Sequence, residues 1–326
     1  MKICIVGAGA VGGLIGTLLA RAGDHTVAAV ARGDTLAALR RHGWRLRQGG
    51  ELLQADAIAT DSAAELGVQD LVVIAVKGPA LTAVARGIGP LLGSETLVMP
   101  AMNGVPWWFG RGVPALEGAP LETVDPGGEI ARAIPVEQVI GCVVHTSSST
   151  SEPGLVEHKV GRGLIVGEPG GGESARVREL GALLARAGFE VSVSADVRRD
   201  IWYKLWGNMT INPVTALTGA TTERVLTDPL VLAFVSAAMR EAAAVGARVG
   251  CAIEQTPEDR LAIARKLGSF KPSMLQDVEA HRTLELDAIV AVVREIAQRV
   301  GVATPNIDAL LGLTRLFART RGLYPG

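Results

Sequence analysis

The turn Gly7-Ala8-Gly9-Ala10-Val11-Gly12-Gly13 constrains the fold of this chain more than any other stretch. It follows the apolar run Ile3-Cys4-Ile5-Val6 and leads into a helix-like segment over residues 14–22. A strand, a GxGxxG turn and a helix in direct succession form a dinucleotide fingerprint; the same glycines elsewhere would be an ordinary turn. Gly7 permits a sharp turn off the strand. Gly9 has no Cβ, so a pyrophosphate can approach the backbone, and Gly12 lets the helix pack close to the strand. The helix N-terminus adds free N–H groups and a partial positive charge. Cofactor contacts are therefore expected along Gly7, Ala8, Gly9, Ala10, Val11 and Gly12.

The next junction bears on which dinucleotide is bound. Asp24-His25 leads into an expected strand over residues 26–31, closed by Arg32-Gly33-Asp34 and followed by a helix over residues 35–41. An NAD-type fold places an acid about 20 residues past the glycines, on the ribose 2′-hydroxyl. Here Arg32 holds that place, and a guanidinium suits a 2′-phosphate. NADPH is the expected cofactor, although Asp34 stands close enough to act as the acid.

At 326 residues the chain is long enough for about two domains. A net charge of −1 gives no reason to expect nucleic acid or an anionic membrane as partner. No run of 18 residues is uniformly apolar, and no secretory leader is evident at the start. The three cysteines, Cys4, Cys142 and Cys251, are scattered and read as buried thiols of a reducing cytoplasm.

Residues 44–60 alternate loosely around Gly49-Gly50 and predict a small hairpin. The run over residues 71–76 is continuously apolar, as in a parallel strand buried on both faces. Lys77 follows at its carboxyl end, where open α/β sheets bind ligands. A strand over residues 96–99 leads similarly to Asn103, whose amide both donates and accepts, although Asn103-Gly104 is also a plain turn sequence. Trp107 and Trp108 read as a wall of a cleft or as core. Residues 139–166 predict several short strands; His145 and His158 lie there without metal-ligand spacing. A helix over residues 174–187 and a strand over residues 189–194 complete the αβ pattern. Beyond residue 196 strand-like runs cease, and residues 197–320 read as successive amphipathic helices. The expected division is 1–195 for a parallel-sheet domain and 196–326 for a helical one, with a small-molecule cleft between them.

The first helix of the second part runs from Val197 to Pro213 and carries Lys204, Asn208 and Asn212 at i, i+4 and i+8, hence on one face. Its other residues are largely apolar, so these polar groups need partners, either in neighbouring helices or in a ligand. Farther on come Ser273-Met274-Leu275-Gln276-Asp277 and Thr283-Leu284-Glu285-Leu286-Asp287. Spacing puts Glu285 on the apolar face with Ile289, Val292 and Ile296, and Asp287 on a solvated face with Arg294 and Gln298. Ser273 reads as a turn hydroxyl or a substrate donor.

The glycine turn, Arg32, Lys77, Asn103-Gly104, Lys204-Leu-Trp-Gly-Asn208-Met-Thr-Ile-Asn212-Pro213, Ser273-Met-Leu-Gln-Asp277 and Thr283-Leu-Glu285-Leu-Asp287 together resemble the ketopantoate reductase (2-dehydropantoate 2-reductase) family. The resemblance spans nearly the whole chain. It implies a Rossmann-type domain, a helical domain and NADPH-dependent reduction of 2-dehydropantoate to pantoate, a step of pantothenate and coenzyme A biosynthesis. It also implies a homodimer through the helical domain. By this resemblance Lys204 is the general acid. Asn208, Asn212 and Ser273 hold substrate oxygens, and Glu285 accepts from a substrate hydroxyl, orients Lys204 and borders the cofactor. Asn103 lies between nicotinamide and substrate, and Arg32 and Lys77 hold the cofactor. Two features depart from the family: Ile289-Val290-Ala291 stands where relatives often have Asn-Gly, and Trp107-Trp108 is bulky. Alternatives are a reductase of another 2-keto or β-hydroxy acid, or an NADPH-binding regulator without turnover.

Overall fold

The computed structural model describes residues 1–326 except Asp24, Leu267 and Gly326, so the expectation involving Asp24 lies outside the described residues. The chain divides into two compact units, residues 1–103 with 128–200 and residues 104–127 with 201–326. This differs from a single cut at residue 195. The segment 104–127 bonds with the helices: Glu122 and Thr123 donate their N–H groups to the Glu295 carboxylate at 2.9 and 2.8 Å, and Arg299 donates to the Ala119 carbonyl at 3.0 Å. Such pairings span more than 170 positions and leave no trace in local periodicity.

The first unit opens with β1 (Lys2–Val6), α1 (Ala10–Arg21), β2 (Thr26–Val30), α2 (Gly33–His42), β3 (Trp44–Gln48), β4 (Glu51–Ala55) and β5 (Ile58–Thr60). It continues with β6 (Leu71–Ile74), α3 (Leu81–Ile88), β7 (Leu97–Pro100), α4 (Glu129–Ala133), β8 (Gly141–Glu152), β9 (Leu155–Gly167), α5 (Ala175–Arg186) and β10 (Glu190–Ser194). One sheet is wholly parallel, in the order β5-β2-β1-β6-β7. That is the expected Rossmann-type arrangement, with the fully buried run of β6 beside β1.

A second sheet, β10-β9-β3-β4 with β8 also on β9, has no counterpart in the local sequence pattern. The expected hairpin is present, with Trp44 opposite Ala55 and Gly49 and Gly50 both at positive φ, but it belongs to this sheet. The several short strands expected over residues 139–166 are instead two long antiparallel strands turning at Pro153-Gly154, with register shifts that break the alternation.

Helix α1 explains how the two sheets share one core. It begins at Ala10, earlier than its apolar pattern suggests, and is buried from Gly12 to Leu19. A Cβ on Gly12 would stand 2.0 Å from the Gly7 carbonyl oxygen, one on Gly13 2.6 Å from Val156, and one on Gly16 2.5 Å from the Trp44 ring. Gly12 therefore lets the helix approach the parallel sheet, while Gly13 and Gly16 let the second sheet approach the helix.

The second unit holds most of α6 (Val197–Thr218), then α7 (Thr222–Thr227), α8 (Pro229–Arg248), α9 (Pro257–Lys266), α10 (Ser273–Glu279), a π-turn over Asp287–Ala291 leading into α11 (Val292–Val300), and α12 (Pro305–Thr320). Helix α6 continues through Pro213, where the sequence suggested an end. Residues 211–216 are all buried, and that burial outweighs the one donor lost at the proline. Helix α8 is long and apolar enough to cross a membrane by length and composition, yet one face of it packs on α6. Trp202 and Trp206 donate their indole N–H groups to the Ala242 and Met239 carbonyls at 3.3 and 2.6 Å, and a Cβ on Gly246 would collide with Trp202 at 2.2 Å.

Candidate active site

The β1–α1 turn has the geometry a dinucleotide needs. Gly7 lies at φ +93°, and a Cβ there would meet Val76 at 2.6 Å. The glycines at 7, 12, 13 and 16 are thus explained by the protein's own packing. Gly9 is not: it caps α1 with φ −79°, open to any residue, and a Cβ on it would meet nothing within 4 Å. What a glycine at this position accommodates is a ligand drawn close to the backbone. The first-turn N–H groups of α1 face no intrahelical acceptor. The residues present fit a dinucleotide.

Arg32 is the N-cap of α2, in extended conformation, and is exposed. Among the described residues its guanidinium has no hydrogen-bond or ion-pair partner. Asp34 is exposed in the first turn of the same helix. Lys77 lies three residues beyond β6 and is partly buried, and Asn103 stands in the same relation to β7. Both belong to the first unit.

In the second unit, α6 carries Lys204, Asn208 and Asn212. With about 100° per residue, Trp206 and Met209 flank Trp202 on the side that packs on α8. Lys204 and Asn208 fall about 200° and 240° round from Trp202, so the tryptophans fix where the polar stripe points. Lys204 and Asn208 are partly buried, and Asn212 is 5% exposed. Among the described residues neither asparagine amide has a hydrogen-bond partner; the Thr215 hydroxyl reaches only the Asn212 carbonyl, at 2.9 Å. The reading of these asparagines as interhelical hydrogen-bonding groups is not what the structure shows. Unpaired amides on a largely covered helix suit a polar ligand.

Glu285 lies between two fully buried leucines, Leu284 and Leu286, and the Leu284 N–H donates to the Leu323 carbonyl at 2.9 Å. The expected solvated face for Asp287 is wrong. Asp287 accepts a hydrogen bond from the Tyr324 hydroxyl at 2.5 Å, and burial raises its pKa against the lowering effect of that bond. The π-turn adds a residue to the helical period just there, so the faces drawn from a 3.6-residue repeat slip. The same turn anchors the 104–109 loop: the Val105 N–H donates to the Ala288 carbonyl at 2.8 Å, and Phe109 stacks on Trp202 with centroids 5.7 Å apart. Trp107 and Trp108 are buried between these two anchors.

Ser273 is exposed at the start of α10. The preceding segment is tied to α7, where the Thr222 N–H and hydroxyl both donate to the Phe270 carbonyl at 3.2 Å. No motif or spacing in the sequence points to Arg260. Its guanidinium lies 5.0 Å from the Tyr203 ring centroid, against α6. Nothing local distinguishes it from the other arginines, since it is more than fifty positions from Lys204.

Comparison with known proteins agrees with this geometry. The family described as "Ketopantoate reductase PanE/ApbA" matches residues 3–171, and its C-terminal counterpart matches residues 196–318. A 2-dehydropantoate 2-reductase of Mesorhizobium japonicum is 43% identical over 325 residues, covering 99% of this chain and 100% of that protein. A crystal structure from Ralstonia solanacearum MolK2, assigned as a ketopantoate reductase, is 56% identical with a TM-score of 0.95 and 99% of each chain covered. A D-mandelate dehydrogenase complex with NADH is 21% identical with a TM-score of 0.85 over 99% of this chain and 100% of that one, which speaks for the fold alone. Both the glycine turn and the lysine-bearing helix fall within the matched segments, and on that footing the chain belongs to the ketopantoate reductase family.

Proposed function

We propose that this chain reduces 2-dehydropantoate to pantoate with NADPH. The family makes it an oxidoreductase acting on CH–OH groups with a nicotinamide cofactor. The observation that carries the substrate reading is the α6 stripe, a lysine followed by two asparagine amides with no partner among the described residues, in a chain 43% identical to a protein named for this reaction. The cofactor supplies a hydride when bound. Gly7 to Gly12, Arg32 and Lys77 would hold it, with Asn103 and Glu285 at its border; the guanidinium of Arg32, without a partner among the described residues, supports a 2′-phosphate. Lys204 Nζ holds the proton that the developing C2 oxyanion takes, and its charge stabilises that oxygen. Asn208, Asn212 and Ser273 orient the substrate through its oxygens, and Glu285 holds Lys204 in position.

The three cysteines are buried and form no disulfide among the described residues, which supports a reducing cytoplasm. Leu313 and Leu316, 61% and 62% exposed on α12, support a homodimer through the helical unit, which sedimentation would test. The main test is a panel of 2-keto acids assayed with NADPH and NADH. The highest kcat/KM is expected for 2-dehydropantoate with NADPH. A tenfold preference for another keto acid would replace the substrate assignment, and binding of NADPH with no turnover of any member would favour a regulator.

A further inference from the structure

Among the described residues Arg260 has no anionic partner. Its guanidinium lies over the Tyr203 ring at 5.0 Å and against Gly207, where a Cβ would stand 3.4 Å from Nη2 and 3.6 Å from Nε. Its Nε is enclosed and finds no acceptor, and among the described residues the guanidinium has no carboxylate partner. Its sequence neighbours are already engaged: Glu258 pairs with Arg240 at 2.7 Å, and Asp259 accepts from the Thr256 hydroxyl at 2.7 Å.

The position on α6 is specific. Tyr203 and Gly207 are four residues apart, so they lie one above the other on the helix. Lys204 is three residues from Gly207, and Asn208 is next to it. Residues three or four apart on a helix have Cβ atoms about 5–6 Å apart. At about 100° per residue the guanidinium, lying over Tyr203 and Gly207, flanks the Lys204–Asn208 stripe about 100° round the helix. A partly enclosed guanidinium has lost hydration, and apart from the Tyr203 ring no described residue replaces it. A carboxylate matches its two-pronged geometry better than any neutral group.

We infer that Arg260 binds the carboxylate of the 2-keto acid and so presents the C2 carbonyl to Lys204. The inference rests on the reductase reading, and it assigns the carboxylate to a residue that neither the motifs nor the family resemblance marks. A Cβ at position 207 would stand at ordinary van der Waals distance from the guanidinium, so the contact shows how closely Arg260 lies on the helix and does not itself require a glycine.

The test compares wild type with Arg260→Met, which keeps the apolar stem, and Arg260→Lys, which keeps the charge without the fork. Each is assayed with a reducible 2-keto acid and with the matching 2-ketoamide. Arg260→Met should raise KM for the acid about 10–100-fold, the effect of losing a charge-assisted pair, while kcat and the KM for the amide change less than about threefold. Arg260→Lys should fall between. An unchanged KM for the acid, or an equal rise for acid and amide, overturns the inference. Calorimetric titration of oxamate reads carboxylate binding without turnover. Loss of oxamate binding in Arg260→Met, in a protein that reduces no keto acid, would uphold the carboxylate site and reject the reductase reading. Equal binding to both proteins, or to neither, overturns the site.

Discussion

Gly104 lies directly against Ala288. A Cβ on Gly104 would stand 2.3 Å from the Ala288 carbonyl oxygen, and Gly104 has φ +88°. That carbonyl also accepts the Val105 N–H at 2.8 Å. The loop that carries the two buried tryptophans is thereby seated on the π-turn that follows Glu285.

Gly104→Ala should therefore be costly on two counts, backbone strain and collision. A loss of about 1–3 kcal/mol in unfolding free energy is expected from the strained backbone alone. Gly118→Ala is the control, since Gly118 has φ +93° in the same unit but open space around it. Equal losses in thermal unfolding of the two variants would show that contact with Ala288 does not constrain the loop.

Removal of the proton donor should be visible in turnover and not in cofactor affinity. Lys204→Ala is expected to lower kcat by about 10²–10⁴-fold, the range for loss of a general acid, with NADPH affinity little changed. Lys204→Arg should not restore the rate, because a guanidinium does not release a proton near neutral pH. Near-normal kcat in a folded Lys204→Ala protein would mean that another group donates the proton.

Cofactor choice should depend on Arg32. Arg32→Ala is expected to weaken NADPH binding by about 1–3 kcal/mol, the worth of a charge-assisted phosphate contact, and to leave NADH binding nearly as it was. Fluorescence titration with both cofactors decides it; equal losses would rule out Arg32 as the 2′-phosphate partner.

The Tyr324–Asp287 bond should show itself in alkali. Burial, with the neighbouring Asp287 carboxylate adding to it, pushes the Tyr324 hydroxyl up to about 12. A raised pKa means that the fold prefers the protonated phenol. Its stabilising contribution is complete below the ordinary tyrosine value of about 10 and is lost as pH rises through about 12. Tyr324→Phe should lower neutral-pH stability by about 1 kcal/mol, at the modest end because the ring is partly exposed. It should also abolish the tyrosinate absorbance step near pH 12. Persistence of that step in Tyr324→Phe would overturn its assignment to Tyr324.

The order of elements, the glycine turn, the parallel strands and the change to helices were legible in the sequence, because each is written in local periodicity and local backbone need. The sequence also placed Lys204, Asn208 and Asn212 on one helix face, since helical spacing alone decides that. Tertiary structure decided what distant contacts control. Gly13 and Gly16 acquire a reason only when Val156 and Trp44 of a second sheet arrive against α1. The segment 104–127 joins the helices because its partners lie more than 170 positions away. Asp287 turns inward to Tyr324 because a π-turn shifts the register that a regular helix would have kept. Arg260 meets the lysine-bearing helix only in three dimensions, since a guanidinium carries no periodic mark of the surface it will cover.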